Sequence, residues 1–79
     1  MSNEPLTFEE HRDLGQELLK TQKHLLQLSR MVAAVYGPNN RSVFAFEHLN
    51  AAMERLRVEL GRQSDADCPG KNAESLYHE

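Results

Sequence analysis

The fold is decided by residues 14–60, LGQELLKTQKHLLQLSRMVAAVYGPNNRSVFAFEHLNAAMERLRVEL. Apolar side chains recur there at steps of three and four residues, a spacing that places them on one face of an α-helix. The pattern stops at Gly37 and Pro38 and then starts again. The sequence therefore predicts an all-α fold in which two amphipathic helices form an antiparallel hairpin. The apolar stripe, interrupted only by Thr21, comprises Leu14, Leu18, Leu25, Leu28, Val32 and Val35 in the first helix and Phe46, Leu49, Met53, Leu56 and Leu60 in the second.

Capping chemistry predicts where the first helix begins and ends. Thr7 is followed three residues later by Glu10, the capping box in which a hydroxyl and a carboxylate satisfy backbone donors at a helix start. Gly37 can adopt the left-handed conformation at a helix end, and Pro38 cannot continue a helix. The first helix is therefore expected over about 8–36.

The second helix is expected over about 43–62. Ser42 or Asn40 would cap its start, and Gly61 marks its expected end. The residues that follow are polar and turn-rich, which indicates a flexible segment. The predicted organisation is an N-terminal arm over 1–6, a helical hairpin over 7–62 with its turn at 37–41, and a flexible tail over 63–79 with a short helical turn at 73–78.

Size and composition favour a chain that associates with something. A chain of 79 residues makes one domain at most, and at this size a single core supplies only a few kcal/mol. Its hydrophobic fraction of 39% lies below the roughly 45 to 50% of ordinary globular domains. The unequal predicted helices would leave Leu14 and Leu18 uncovered, so a second copy, another protein or the C-terminal Leu76 and Tyr77 is expected to cover them. We predict a homodimer that forms a four-helix bundle, in which the apolar stripe is the self-association surface.

The distribution of charge supports an antiparallel dimer. Residues 1–17 are mainly acidic, whereas residues 18–46 carry four basic residues and no acid before Glu47. Part of this pattern complements the helix dipole. Antiparallel pairing of two first helices would set acidic starts against basic ends, which favours a two-fold dimer over a parallel one.

Two alternatives use other surfaces of the same hairpin. Phe44, Ala51 and Val58 lie nearly opposite the apolar stripe and form a candidate second interface. Together with Leu14 and Leu18 they would form the surface through which the chain acts as a chaperone-like subunit of a larger complex. An RNA- or DNA-binding hairpin dimer would use the basic face of the first helix, but the net charge of −3 weighs against it. The candidate nucleic-acid contacts are Lys20, Lys23, Arg30 and Arg41.

The sequence carries no pattern that indicates catalysis, a cofactor or a metal site. The residues three before the four histidines are never carboxylates, and no two histidines are four apart, so common di-iron and zinc patterns are absent. His11 is expected at the surface or its boundary. Cys68 is alone and cannot form an internal disulfide, which agrees with a reducing compartment. The chain lacks a membrane span and a secretory leader, so a cytoplasmic, non-enzymatic protein without membrane association is predicted.

Overall fold

A computed structural model describes residues 4–78. It contains two long α-helices, α1 (Phe8–Tyr36) and α2 (Arg41–Asp67), and a short 3₁₀ helix, Ala73–Tyr77. No strand occurs within the described residues. The prediction of an all-α hairpin is confirmed, while part of the predicted N-terminal arm, residues 1–3, lies outside the described range.

The start of α1 has the predicted cap. The Thr7 hydroxyl accepts a hydrogen bond from the backbone N–H of Glu10 at 3.1 Å, and the Glu10 carboxylate accepts one from the backbone N–H of Thr7 at 3.0 Å. These two bonds satisfy donors that have no partner inside the helix, so they fix where α1 begins.

The turn between the helices is shorter than predicted. Gly37 ends α1 with a φ of 94°, a left-handed conformation in which glycine is unstrained, and its N–H donates to the Ala33 carbonyl. Asn40, the second of the two predicted caps, accepts a hydrogen bond from the Ser42 N–H at 2.8 Å. Because Asn40 caps the helix, α2 begins at Arg41 and not near residue 43.

The predicted end of α2 near residue 62 is wrong, since the helix continues to Asp67. Gly61 is buried inside the helix, and Ser64 donates its hydroxyl proton to the Gly61 carbonyl at 2.7 Å. The helix stops at Cys68 because Pro69 follows, and the residue before a proline is driven out of the helical conformation. The helices of 29 and 27 residues are thus nearly equal in length. The prediction that the start of α1 is left uncovered is wrong, because Leu14 and Leu18 are half-buried.

The prediction of a flexible tail is also wrong for residues 63–72, whereas the short helical turn predicted at 73–78 is present as the 3₁₀ helix Ala73–Tyr77. After α2, the chain turns back at Gly70 (φ 80°) and Asn72 (φ 52°) and packs the 3₁₀ helix against both long helices. Ala73 and Tyr77 have no exposed area, and the Lys71 ammonium lies 5.8 Å from the centre of the Phe8 ring. We call residues 68–78 the C-terminal segment; Glu79 lies outside the described range.

The contact between the two helices differs from the predicted apolar seam. Leu49 and Leu56 of the predicted stripe are each 44% exposed and do not fill the space between the helices. Polar residues lie there instead, because they satisfy each other's hydrogen-bonding groups. Gln22 donates to Asn50 at 2.8 Å and accepts from Arg57 at 2.7 Å. The α2 residues with reduced exposure, which we call the seam residues, are Val43, Phe46, Asn50, Met53, Arg57, Leu60, Gly61, Ser64 and Asp67.

Candidate functional site

A buried polar cluster anchors the C-terminal segment. His11 has no exposed area, and its Nδ1 lies 2.6 Å from the Tyr77 hydroxyl while its Nε2 lies 2.8 Å from the Asp67 carboxylate. Because an ionised carboxylate only accepts, Nε2 carries the proton and donates to Asp67. In the tautomer that carries its proton on Nε2, Nδ1 accepts the Tyr77 hydroxyl proton. The two rings also meet edge to face, with centroids 5.8 Å apart, so three elements are joined at one point.

The histidine cluster joins α1, α2 and the C-terminal segment and is largely closed to solvent. An acid, a histidine and a hydroxyl in a row can relay protons in enzymes, but a substrate must reach the hydroxyl. Here His11 and Tyr77 are both completely buried, and the Asp67 side chain is only 9% exposed. The expectation that His11 lies at the surface is therefore wrong. Its partner Tyr77 lies 66 residues away, and no local pattern of the sequence indicates their contact.

A second polar group holds the end of the segment. Arg57 donates from Nε to the Tyr77 carbonyl at 2.8 Å and from a terminal nitrogen to the Gln22 amide oxygen. The Glu74 N–H donates to the Asp65 carboxylate at 2.9 Å. The polar residues of the seam thus link the two long helices and the C-terminal segment into one network.

The buried cluster predicts that docking of the segment depends on pH. The hydrogen bonds from His11 and then from Gln63 lower the pKa of Asp67 from its ordinary 3.8, so Asp67 stabilises the fold above that pH and this stabilisation is lost in stronger acid. Burial, followed by the charges of Asp67 and Cys68, raises the pKa of Tyr77 above its ordinary 10.0. The stabilisation linked to Tyr77 is therefore complete below pH 10.0 and is lost as the pH rises through the raised pKa.

We expect the segment to stay docked between these limits and to be released on either side of them. In a Tyr36→Phe variant, Tyr77 is the remaining tyrosine, so tyrosinate absorbance against pH reports its ionisation alone. Ionisation of Tyr77 at its ordinary pKa in the folded chain would contradict its burial. Urea unfolding at a series of acid pH values measures the loss of the stabilisation that is linked to Asp67.

Two helix glycines give a matched test of the close approach of the segment. A Cβ built at Gly15 would collide with the Leu76 carbonyl oxygen, a backbone atom that cannot move alone, whereas a Cβ at Gly61 would lie 3.0 Å from the flexible Glu74 side chain. In a free helix, Gly→Ala stabilises by about 1 kcal/mol. At Gly15, overpacking costs about 1 to 3 kcal/mol, and the gain in helix propensity offsets about 1 kcal/mol of this. We therefore expect Gly15→Ala to lower the free energy of unfolding by up to about 2 kcal/mol, and Gly61→Ala to leave it unchanged or raise it. Urea unfolding measures both, and a more stable Gly15→Ala variant would show that the segment does not pack there.

The C-terminal segment covers only one side of the hairpin. Its contacts on α2 are Arg57, Gly61 and Asp65. At about 100° per residue, Leu49 and Leu56 lie roughly 80 to 180° around the helix from these positions. The segment therefore leaves the leucine side of α2 uncovered.

An apolar surface made by both helices occupies that uncovered side. Leu14, Thr21 and Leu28 each precede a residue with reduced exposure on α1, and Leu49 and Leu56 precede the seam residues Asn50 and Arg57. Because the helices are antiparallel and both right-handed, positions just before the seam lie on the same side of the hairpin. We call this surface the bare face; it is uncharged and consists of Leu14, Thr21, Leu28 and Val35 of α1 and Ala45, Leu49, Ala52 and Leu56 of α2.

The bare face is strongly exposed along much of its length. Val35 is 73% exposed, and Leu49 and Leu56 are each 44% exposed. A depression of about 250 Å³, lined by Ser42, Ala45, Phe46 and Leu49, lies on its α2 side. The surface therefore combines projecting leucines with a hollow that could receive one.

The candidate second interface lies on the other side of the hairpin. Phe44, Ala51 and Val58 each follow a seam residue, and Val58 lines a depression together with His78 of the C-terminal segment. Phe44 is 44% and Val58 37% exposed. This row adjoins the C-terminal segment and is separate from the bare face.

The candidate nucleic-acid residues are all exposed but do not share one surface. Lys20 forms an ion pair with Glu17 at 3.6 Å, in which both side chains are more than 70% exposed. Lys23 and Arg30 are seven residues apart on one face of α1, whereas Arg41 is the first residue of α2. Lys20 lies beside Lys23 at i,i+3 spacing, so three of the four residues lie on neighbouring positions of α1 and Arg41 lies apart from them.

Residues 4–78 hold no group of three or more histidine, cysteine or acidic side chains placed to bind a metal ion. Cys68 is a half-buried free thiol at the end of α2. Neither long helix has a stretch that is long and apolar enough to span a membrane.

Comparison of the chain with protein-family models, with curated proteins and with solved structures finds no match. The buried cluster and the bare face are therefore interpreted from their own geometry.

Proposed function

We propose that this protein is a small, non-catalytic helical interaction module that acts through self-association. Its bare face packs against the bare face of a second copy, and the two hairpins together form a four-helix bundle. The eight residues of the bare face supply the contact, while the C-terminal segment closes the opposite side of each hairpin.

The observation that carries this proposal is the lack of an apolar core in the single chain. Among residues 4–78 no leucine is buried, and the buried apolar residues are Val43, Ala73 and Tyr77. Complete burial of a leucine contributes roughly 1.5 to 3 kcal/mol, so each leucine that stays partly in water leaves part of this stabilisation unused. A chain so rich in leucine is stabilised when its apolar stripe is covered.

The amount of exposed surface fits a missing partner of similar size. The chain exposes 5995 Å², whereas a compact monomer of its 9.0 kDa exposes about 4,850 Å². The excess of roughly 1,100 Å² is comparable with the ~800 Å² that each partner buries in a standard interface. A single protein–protein contact could therefore remove it.

A second copy suits the bare face for two reasons. The face is uncharged, so a copy brings no unpaired charge into the contact. It is also two helices wide, and its large leucine and small alanine side chains form ridges and grooves. Such a surface suits the interlocking of side chains in helix bundles. A hairpin packed on a hairpin buries the stripe in both copies at once.

Co-purification of two forms of the chain tests the proposal. An affinity-tagged copy and an untagged copy are expressed together, and the untagged copy is expected to be retained together with the tagged copy. A Phe44→Gln/Val58→Gln pair of copies serves as a control and should be retained equally well, because these residues lie away from the bare face. Recovery of the tagged copy alone, at micromolar and higher concentration, would contradict self-association.

A further inference from the structure

The groove that holds the C-terminal segment continues past the end of that segment. The segment packs against Gly15 and Gly61, and its Tyr77 carbonyl reaches Arg57. Because steps of three and four residues follow one face of a helix, the rows that begin at the two glycines bound one groove, on the side of the hairpin opposite the bare face. Towards the turn these rows continue with Leu19, Gln22 and Leu26 on α1 and with Glu54, Asn50 and Glu47 on α2.

Three adjoining depressions lie along the groove beyond the segment. Beside His78, a depression of about 210 Å³ is lined by Glu54 and Arg57. A second, of about 360 Å³, shares both of these residues and extends to Leu26 and Asn50. A third, of about 140 Å³, shares Leu26 and Asn50 and lies nearest the turn. Since neighbouring depressions share residues, they form one track from the end of the segment towards the turn.

The depression nearest the turn, which we call the turn pocket, has room for one large apolar side chain. Its apolar lining is Leu25, Leu26 and Phe46, and Leu26 is 48% exposed. Its volume of about 140 Å³ is close to the ~150 Å³ of an engineered cavity, lined by the same kinds of side chain, that binds benzene. A phenylalanine ring or a leucine side chain therefore suits the turn pocket.

An exposed carboxylate lies beside the turn pocket. Within the described part of the chain, Glu47 is the charged residue of the pocket lining, and it forms no ion pair there. The second depression has Glu54, Lys23 and Arg57 in its lining, so it favours neither sign of charge. The turn pocket thus favours an apolar side chain with a basic residue next to it.

Polar groups along the track suit a polypeptide backbone. Arg57 already donates to the backbone of the C-terminal segment at the Tyr77 carbonyl. Further along, the amide oxygen of Asn50 accepts from Gln22, and among residues 4–78 the amide nitrogen of Asn50 has no acceptor. Because an amide nitrogen donates two hydrogen bonds, it can bind a peptide carbonyl.

We infer that the open part of the groove binds a short segment of another protein. A leucine or phenylalanine of that segment enters the turn pocket, and a neighbouring lysine or arginine pairs with Glu47. The groove already binds one stretch of polypeptide, its own C-terminal segment, and the incoming segment continues the same track. From residue 57 to residue 47, α2 rises about 15 Å, which is the length of about five residues of extended chain.

This site is separate from the other surfaces of the hairpin. The bare face lies on the opposite side, so a dimer formed through it keeps both grooves open, and peptide binding does not depend on self-association. Of the candidate second interface, Val58 borders the depression beside His78, whereas Phe44 and Ala51 line none of the three depressions.

Selection from a library of short random peptides displayed on phage tests the inference. A parallel selection on a Leu26→Asp variant is the reference, because a charged side chain in the lining disfavours burial of an apolar one. Peptides enriched on the unmodified chain alone are expected to combine a leucine or phenylalanine with a lysine or arginine. Enrichment of peptides that lack this pair, equal enrichment on both proteins, or no enrichment would overturn the inference. Circular dichroism verifies that the variant remains helical.

Fluorescence anisotropy of a labelled, enriched peptide then locates its site. The Glu47→Gln variant is expected to raise the dissociation constant about two- to fivefold, the strength of one exposed ion pair. The matched control, Glu9→Gln, removes the same charge from an exposed position at the start of α1 and should leave the constant unchanged. Loss of binding in Leu49→Gln/Leu56→Gln, with none in Glu47→Gln, would place the peptide on the bare face and contradict the groove. A monomeric mass would contradict the proposed self-association and leave this test intact.

Discussion

The Tyr77→Ala variant is expected to lose about 3 to 5 kcal/mol of folding free energy, the usual cost of removing a large buried side chain. Tyr77 has no exposed area, it fixes the C-terminal segment, and its hydroxyl partners His11. A chain of 79 residues has a total stability of roughly 4 to 12 kcal/mol. The loss should therefore bring the variant close to unfolding in water, and urea unfolding monitored by circular dichroism measures it.

The Tyr77→Phe variant separates packing from hydrogen bonding. It keeps the ring but removes the hydroxyl, which leaves Nδ1 of His11 buried without its donor, at an expected cost of about 1 to 3 kcal/mol. Both variants should therefore lower the free energy of unfolding, and Tyr77→Phe should lower it by less than Tyr77→Ala. Equal unfolding midpoints for Tyr77→Ala and the unmodified chain would show that the segment is not docked in solution.

The second large effect is expected from removing leucines of the bare face. A Leu49→Gln/Leu56→Gln variant changes four side chains per dimer without changing any charge. Because each leucine is already half-exposed in one copy, we take about 1 to 1.5 kcal/mol for each, which predicts a weakening of self-association of roughly 1,000-fold or more. Sedimentation velocity over a range of concentrations measures this change.

The control for this variant is Phe44→Gln/Val58→Gln, which removes two apolar side chains of similar exposure from the other side of the hairpin. It is expected to change the dissociation constant by less than about threefold, the size of ordinary surface effects. If this control dissociates the dimer and the leucine variant does not, the candidate second interface is the contact and the bare face is not. Circular dichroism verifies that both variants remain helical.

Local signals in the sequence predict the elements of this fold well. The capping box of Thr7 and Glu10, the glycine at the turn and the three-and-four spacing of apolar residues are each read from a few neighbouring residues. They give the hairpin and the bounds of α1. The end of α2 is different, because Gly61 resembles a helix stop and is kept helical by the C-terminal segment that packs against it.

The seam and the buried cluster depend on contacts between distant residues. Asn50 and Arg57 look like surface residues until Gln22, on the other helix, supplies their hydrogen bonds. His11 likewise has its partners Asp67 and Tyr77 56 and 66 residues away. No periodicity encodes such pairs, so the sequence assigned Leu49 and Leu56 to the seam, and their exposure became visible only in the folded chain.

The most direct test of the central claim is the mass of the unmodified chain by sedimentation equilibrium at micromolar concentration. Self-association through the bare face predicts a mass of twice the 9.0 kDa of one chain. A mass of one chain at every concentration up to about millimolar, where association would be weaker than about 4 kcal/mol, would contradict it. The bare face would then be open to a different protein.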